Sequence, residues 1–188
     1  KEKSDKWPTF LSVDPKNIFI SSGAFEANTV SGVIDQALRA HCLNIELSSG
    51  LLLDLKPEDL ISIKERLGLN VIFHNYFPRP ENDFVLNIAS NDESNRQRSI
   101  SFIIDAINLA RDLGVKFFSF HAGFCVDIPS SIIGDARAIK LAVNHTLKTI
   151  DNDKIERHLA LMTNSLELIT RHAQKCNVEI ALENNNLE

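Results

Sequence analysis

The sequence predicts an α/β protein built on a parallel β-sheet. Short apolar segments alternate with longer amphipathic segments along most of the chain. A short apolar segment of this kind is typical of a strand that is buried on both faces, in a parallel sheet covered by helices. Strands that alternate with helices form βαβ units, in which the strands run parallel and the crossovers are right-handed. We therefore expect a helix-covered sheet of parallel strands.

Five strands and their connecting helices are predicted in alternation. The predicted strands span residues 17–22, 43–48, 70–74, 115–121 and 178–183. The predicted helices span about 29–41, 57–67 and 95–113, followed by one or two helices that end at 176. Two long loops, 75–95 and 122–134, follow the third and fourth strands. Loops of this length inside a compact domain are usually functional or mobile.

Glycine, proline and the spacing of apolar residues place the boundaries of these elements. Gly23 closes the first strand, and the third helix ends at Gly114. The second helix begins at Pro57, whose fixed φ suits a first helical turn, and Gly68 follows its last turn. The first and third helices carry apolar residues at helical spacing, among them Val30, Val33, Ile34, Ile100, Ile103 and Ile104.

Three apolar segments end in a side chain that can bind a metal ion. His74 ends the third predicted strand, His121 the fourth and Glu183 the fifth. The C-terminal ends of parallel strands meet at one edge of the sheet, where α/β folds bind ligands. Imidazole nitrogen and carboxylate oxygen suit Mn²⁺, Zn²⁺, Co²⁺ or Fe²⁺. We therefore expect these residues to form a divalent-metal site; the alternative is that they are structural groups with satisfied hydrogen bonds.

Other polar residues near strand ends are candidates for substrate binding. Glu46 lies in the second strand, and Asn75 and Asn184 immediately follow His74 and Glu183. Glu46 could contact a substrate or pair with a basic residue. The asparagines could hydrogen-bond substrate hydroxyls or orient the ligands, or they could be turn residues only.

The remaining charged candidates have simpler interpretations. Arg79 and Arg96 could reach a phosphate from the first long loop, although we expect solvated charges at both positions. The other histidines fall on predicted helices, where we expect surface positions: His41, His145, His158 and His172.

The composition argues against several classes of function. The 188-residue chain has a formal net charge of −5 and a pI near 5.7, so a general attraction to nucleic acid is not expected. No apolar stretch approaches the roughly 20 residues that span a bilayer. Glycine patterns of nucleotide-binding loops and the hydrolase G-x-S-x-G pattern are missing. Cys42, Cys125 and Cys176 are odd in number and widely spaced, which favours a reducing compartment, so we expect a cytoplasmic protein.

Four phrases along the chain resemble one known family. They read NIELSSG, VIFHNYFPRPENDFVLNIAS, FFSFHAGF and IALENN, in this order. Together they resemble the sugar phosphate isomerase/epimerase group of the xylose-isomerase-like TIM barrels, from about residue 17 onward. The resemblance implies a parallel (β/α) TIM barrel, of which this chain supplies about the first five of eight βα units. We therefore expect residues 1–188 to be a single barrel domain that is incomplete at its C-terminus.

The resemblance also implies a metal-dependent enzyme. In the isomerase branch a divalent metal polarises a carbonyl/hydroxyl pair on a small sugar or sugar phosphate, and paired glutamates move a proton between adjacent carbons. Glu183 matches the first of these glutamates, whereas the second glutamate and further ligands would lie beyond Glu188. His74 and His121 would bind the metal directly or hydrogen-bond the oxygens of the substrate. The endonuclease IV-type enzymes of the same superfamily have ligands at positions that match His74, His121 and Glu183.

Three functions stay open at this point. The first is a sugar or sugar phosphate isomerase or epimerase. The second is a metal-dependent apurinic-site endonuclease, which the acidic composition disfavours. The third is a catalytically inactive barrel that binds a sugar or a partner protein and could complete its sheet as a homo-oligomer.

Overall fold

Residues 18–132 and 135–183, which the computed structural model describes, contain five strands and five α-helices. The strands are β1 (Ile20–Ser21), β2 (Asn44–Leu47), β3 (Asn70–His74), β4 (Phe117–His121) and β5 (Glu179–Glu183). The helices are α1 (Val30–Arg39), α2 (Pro57–Leu67), α3 (Glu93–Asp112), α4 (Ala136–Thr149) and α5 (Asn152–Cys176). Single 3₁₀ turns lie at Ser22–Ala24 and Ser130–Ile132. None of the helices in the described ranges is both long and apolar enough to cross a membrane.

The strands lie side by side in chain order, β1-β2-β3-β4-β5, and each adjacent pair is parallel. The predicted βα alternation is therefore confirmed. The bounds of β3 match the prediction, and the other strands are shorter than predicted. Asn17, the predicted start of the first strand, lies outside the described residues. Because no strand is skipped, every crossover joins immediate neighbours, as in the first part of a (β/α) barrel.

Alternate strand residues point to two different faces of the sheet. One face is buried along the central strands β2, β3 and β4 and shares a core with the helices; its residues include Ile45, Leu47, Phe73, Phe118 and Phe120, each at most 1% exposed. The opposite face carries half-buried residues, including Glu46, His74, Ser119 and His121. In the described part of the chain, helices cover one face and the other carries half-buried polar side chains, so burial of both faces stays a prediction.

Side-chain caps begin most of the helices. The Thr29 hydroxyl accepts a hydrogen bond from the Gly32 amide at the start of α1, over 3.2 Å. Asp92 accepts from the Ser94 amide over 2.9 Å, and because of this cap α3 begins at Glu93, two residues before the predicted start. The prediction that Pro57 begins α2 is confirmed.

One predicted surface histidine is buried. His158 in α5 is 4% exposed, so the surface prediction is wrong for this residue. Its Nδ1 donates to the Ala89 carbonyl over 2.6 Å, and its Nε2 accepts from Asn91 Nδ2 over 2.8 Å. Ser165, two turns further along α5, has its hydroxyl 2.8 Å from the Ile88 carbonyl. These bonds fix the end of the first long loop against α5.

Candidate metal centre

The strand register brings the predicted metal ligands to one face and one edge of the sheet. His74 of β3 lies beside Ser119 of β4, and His121 of β4 lies beside Glu183 of β5. Because strand residues two apart point to the same face, Ser119 and His121 share a face with both partners. His74, His121 and Glu183 therefore converge at the C-terminal ends of three adjacent strands.

The three side chains come within reach of a common ion. One ligand atom from each of His74, His121 and Glu183 lies within 4.8 Å of the others. The His74 Nε2 atom is 3.6 Å from Oε2 of Glu183. The two imidazole rings have centroids 5.3 Å apart and meet edge to face at 81°. Both rings are half-buried, whereas the side chain of Glu183 is 55% exposed.

The donor set fits a divalent transition metal. Two donors that each lie about 2.0–2.2 Å from one ion can be at most about 4.4 Å apart. The 3.6 Å between His74 Nε2 and Glu183 Oε2 meets this limit, and small side-chain rotations would bring a donor at the 4.8 Å bound within it. The Nδ1 atom of His121 is buried without a hydrogen-bond partner. Leaving such an atom unpaired costs about 1–3 kcal/mol, and a bound cation would remove that cost.

Ser119 is a site residue that the sequence analysis missed. Its hydroxyl lies 2.9 Å from Nδ1 of His74. With the proton on Nδ1 donated to Ser119, the Nε2 lone pair of His74 points toward Glu183 and is free for a cation. Strand alternation was the available signal, because Ser119 is the polar residue two positions before His121 in an otherwise apolar strand.

Asn75 is held rigidly beside the cluster. Its backbone has φ of +49°, in the left-handed region that asparagine tolerates, and its amide donates to the Ser119 carbonyl over 2.7 Å. The residue is 7% exposed, and Oδ1 is buried without a hydrogen-bond partner. A fixed and unpaired amide oxygen next to His74 has the chemistry of a hydroxyl acceptor.

Two further candidates for substrate binding, Glu46 and Asn184, are not part of the metal-capable cluster in the described residues. Glu46 is half-buried on the same face, with its Cα paired to Ser21 and Ile72. It is not a member of the metal-capable group among the described residues. Asn184 lies outside the described residues, so its predicted role stays a prediction.

Arg79, in the first long loop, and Arg96, in the first turns of α3, differ in their contacts. The Arg96 guanidinium donates to the Ser90 carbonyl over 2.7 Å and pairs with Glu93, so it is engaged within the protein. The side chain of Arg79 is exposed; within the described residues only its backbone amide makes a hydrogen bond, to the Leu51 carbonyl over 3.1 Å. Cys125, in the second long loop, keeps a neutral thiol, because burial raises its pKa.

A buried asparagine joins the two long loops that follow β3 and β4. Asn87, 1% exposed, donates from Nδ2 to the carbonyls of Phe124 (3.0 Å) and Val126 (3.1 Å). Its Oδ1 accepts from the amides of Ala89 (3.0 Å) and Phe124 (3.1 Å). Gly123 has φ of +108°, and a Cβ there would lie 2.8 Å from the Asn87 Cα. This close approach fixes the segment directly after His121.

The family follows from comparison with known proteins. A family model described as the xylose isomerase-like TIM barrel matches residues 41–186. The chain belongs to this family. No curated protein matches the sequence significantly.

Solved structures share the fold at low sequence identity. A D-tagatose 3-epimerase-like protein superimposes with a TM-score of 0.61 at 19% identity, over 88% of this chain and 51% of that one. An L-ribulose 3-epimerase gives 0.59 at 19% identity, over 88% and 48%. A D-psicose 3-epimerase from Clostridium cellulolyticum H10, solved with D-tagatose, gives 0.60 at 14% identity, over 87% and 50%. The chain thus spans about half the length of these structures, and the predicted barrel-type fold is confirmed.

Proposed function

We propose that the protein is a metal-dependent isomerase or epimerase that acts on a small sugar or sugar phosphate. The observation that carries this proposal is the convergence of His74, His121 and Glu183 at the C-terminal edge of the sheet. This edge is where (β/α) barrels place their active sites. Fold similarity to sugar epimerases supports a sugar as the substrate, whereas the reaction type is argued from the site, since the fold alone does not determine the chemistry.

His74, His121 and Glu183 would hold the metal, with Mn²⁺, Zn²⁺, Co²⁺ and Fe²⁺ as the ions that suit their donor atoms. The bound ion would supply a Lewis acid that polarises the substrate's carbonyl and hydroxyl oxygens. Ser119 orients the His74 imidazole through Nδ1. The buried and unpaired Nδ1 of His121 supports a ligand role for that residue.

Glu183 is the group we assign to proton transfer between adjacent carbons. Its carboxylate is accessible, and it neighbours the imidazole of His74 at 3.6 Å, so it can take a proton from a substrate carbon lying over the strand ends. The Oδ1 atom of Asn75 would accept a hydrogen bond from a substrate hydroxyl. Glu46, on the same face, and Asn184 are further substrate-binding candidates.

The test replaces Glu183 by glutamine, which keeps its size and removes its charge. Glu183→Gln should abolish turnover of every sugar that the wild type converts, measured by NMR as deuterium incorporation and product formation in D₂O. Glu179→Gln is the matched control, because Glu179 lies on the same strand and is exposed. Near-normal turnover by Glu183→Gln would contradict the mechanism.

A second function is favoured by one feature of the site. Two imidazoles and one carboxylate at the ends of β3, β4 and β5 match the ligand positions of the endonuclease IV type. We therefore also consider metal-dependent cleavage of DNA at apurinic sites. Incubation with a duplex that contains one abasic site, in the presence of Zn²⁺ or Mn²⁺, decides between the two: strand cleavage that Glu183→Gln abolishes would favour the endonuclease.

A further inference from the structure

A cavity of 450 Å³ lies among the loops that follow β2, β3 and β4. Its walls come from all three loops and from α4, and they are mostly carbon. The residues that form the apolar walls include Tyr76, Pro80, Phe84, Phe124, Ile128 and Ile139. Cavities of roughly 300–1,000 Å³ are the size that small molecules occupy in proteins.

Two segments of the chain lead directly from the candidate metal centre to the cavity. Tyr76 is two residues after His74, and consecutive Cα atoms are about 3.8 Å apart, so their Cα atoms are at most about 7.6 Å apart. Phe124 is three residues after His121. A molecule held over the metal-capable cluster can therefore extend a substituent into the cavity.

The walls do not suit the hydroxyl-rich part of a sugar. The Tyr76 hydroxyl already accepts from the Leu86 amide over 2.5 Å, and burial raises the pKa of Tyr76, so it stays neutral. Each sugar hydroxyl left without a hydrogen-bond partner would weaken binding by about tenfold or more. Apolar walls favour an apolar occupant instead.

The charges at the cavity favour a neutral occupant over a phosphate. Arg79 and Asp83 line it, both are exposed, and their side chains make no ion pair among the described residues. They contribute one charge of each sign, so an anion gains the attraction of one and meets the repulsion of the other. Arg98 covers one side of the Phe84 ring, with Cζ 4.3 Å from the ring centroid, and holds that wall in place.

We propose that this cavity binds an aromatic substituent of the substrate, which makes the substrate a sugar with an aryl aglycone. Because the aglycone blocks the anomeric carbon, the carbonyl that takes part in proton transfer would lie at another carbon of the sugar ring. This inference rests on the proposed function, because the sugar itself would lie over His74, His121 and Glu183. An apolar cavity for the aromatic group predicts that aryl glycosides bind more tightly than alkyl glycosides of the same sugar.

The test compares phenyl and methyl β-D-glucopyranoside as probes, with affinities measured by isothermal titration calorimetry. We expect the phenyl compound to bind the wild-type protein at least about tenfold more tightly, from burial of the ring. Ile139→Asp should remove this preference, because it places a carboxylate in the apolar wall. Leu141→Asp is the matched control, since Leu141 lies on the same helix and is 62% exposed; it should keep the preference.

Ile128→Asp is a second variant that keeps the test decisive if Ile139→Asp does not fold. Ile128 lines the cavity from a loop and is half-buried, so a carboxylate there should also remove the preference. Equal affinities for the two glycosides in the wild type, or no binding of either, would overturn the inference. The proposed function fails separately, through turnover by Glu183→Gln, because the binding measurement needs no turnover.

Discussion

Substituting Gly123 by alanine tests the contact that joins the two long loops beside the metal centre. The substitution lowers the free energy of unfolding in two ways. A non-glycine residue at φ of +108° is strained by about 1–3 kcal/mol. The added Cβ would also lie 2.8 Å from the Cα and 3.0 Å from the Cγ of Asn87, and forced overpacking of this kind costs typically about 1–3 kcal/mol. Asn87 cannot move aside easily, because its side chain makes hydrogen bonds with Ala89, Phe124 and Val126.

We therefore expect Gly123→Ala to lower the free energy of unfolding by about 2–6 kcal/mol, measured by urea denaturation. Gly68→Ala is the matched control. Gly68 has φ of +65° and no atom within 4 Å of an added Cβ, so it carries only the left-handed backbone cost of about 1–2 kcal/mol. A Gly123→Ala variant no less stable than Gly68→Ala would refute the close approach to Asn87.

Three further predictions concern single side chains. Ser119→Ala should weaken Zn²⁺ binding by about 10–100-fold in calorimetry, because it frees the imidazole that Ser119 orients; unchanged affinity would contradict this role. His158→Ala should lower the free energy of unfolding by about 2–5 kcal/mol, whereas Leu159→Ala, at a position 45% exposed, should have a much smaller effect. Burial raises the pKa of Asp54, but its hydrogen bonds with Ser31 lower it more, so the net pKa lies below 3.8. Asp54 therefore stabilises the fold above pH 3.8, and the stability difference between wild type and Asp54→Asn should shrink as pH falls below 3.8; a difference independent of pH would contradict this.

The sequence predicts most of the fold because its local signals agree with one another. Apolar runs identify each strand, a glycine lies near one end of β1 to β4, and Pro57 and Gly68 mark both ends of α2. The prediction of the first strand is the least accurate, since only Ile20–Ser21 pair with β2. The start of α3 was misplaced, because the capping role of Asp92 was not recognised.

Contacts between distant parts of the chain account for what could not be predicted. Helical spacing alone gives no reason to bury His158, whose partner Ala89 is 69 positions away in sequence. Three of the four hydrogen bonds of the Asn87 side chain likewise go to a loop that follows a different strand. By contrast, the convergence of His74, His121 and Glu183 needed only the rule that parallel strands end at the same edge.

Elemental analysis of the purified protein, prepared without chelators, tests the central claim most directly. The account predicts near-stoichiometric Mn, Zn, Co or Fe in the wild type and loss of that metal in Glu183→Ala. Glu179→Ala, on the same strand, should keep it. Metal content that is equal in Glu183→Ala and wild type, or no metal in the wild type even after soaking with each ion, would contradict a metal site formed by His74, His121 and Glu183.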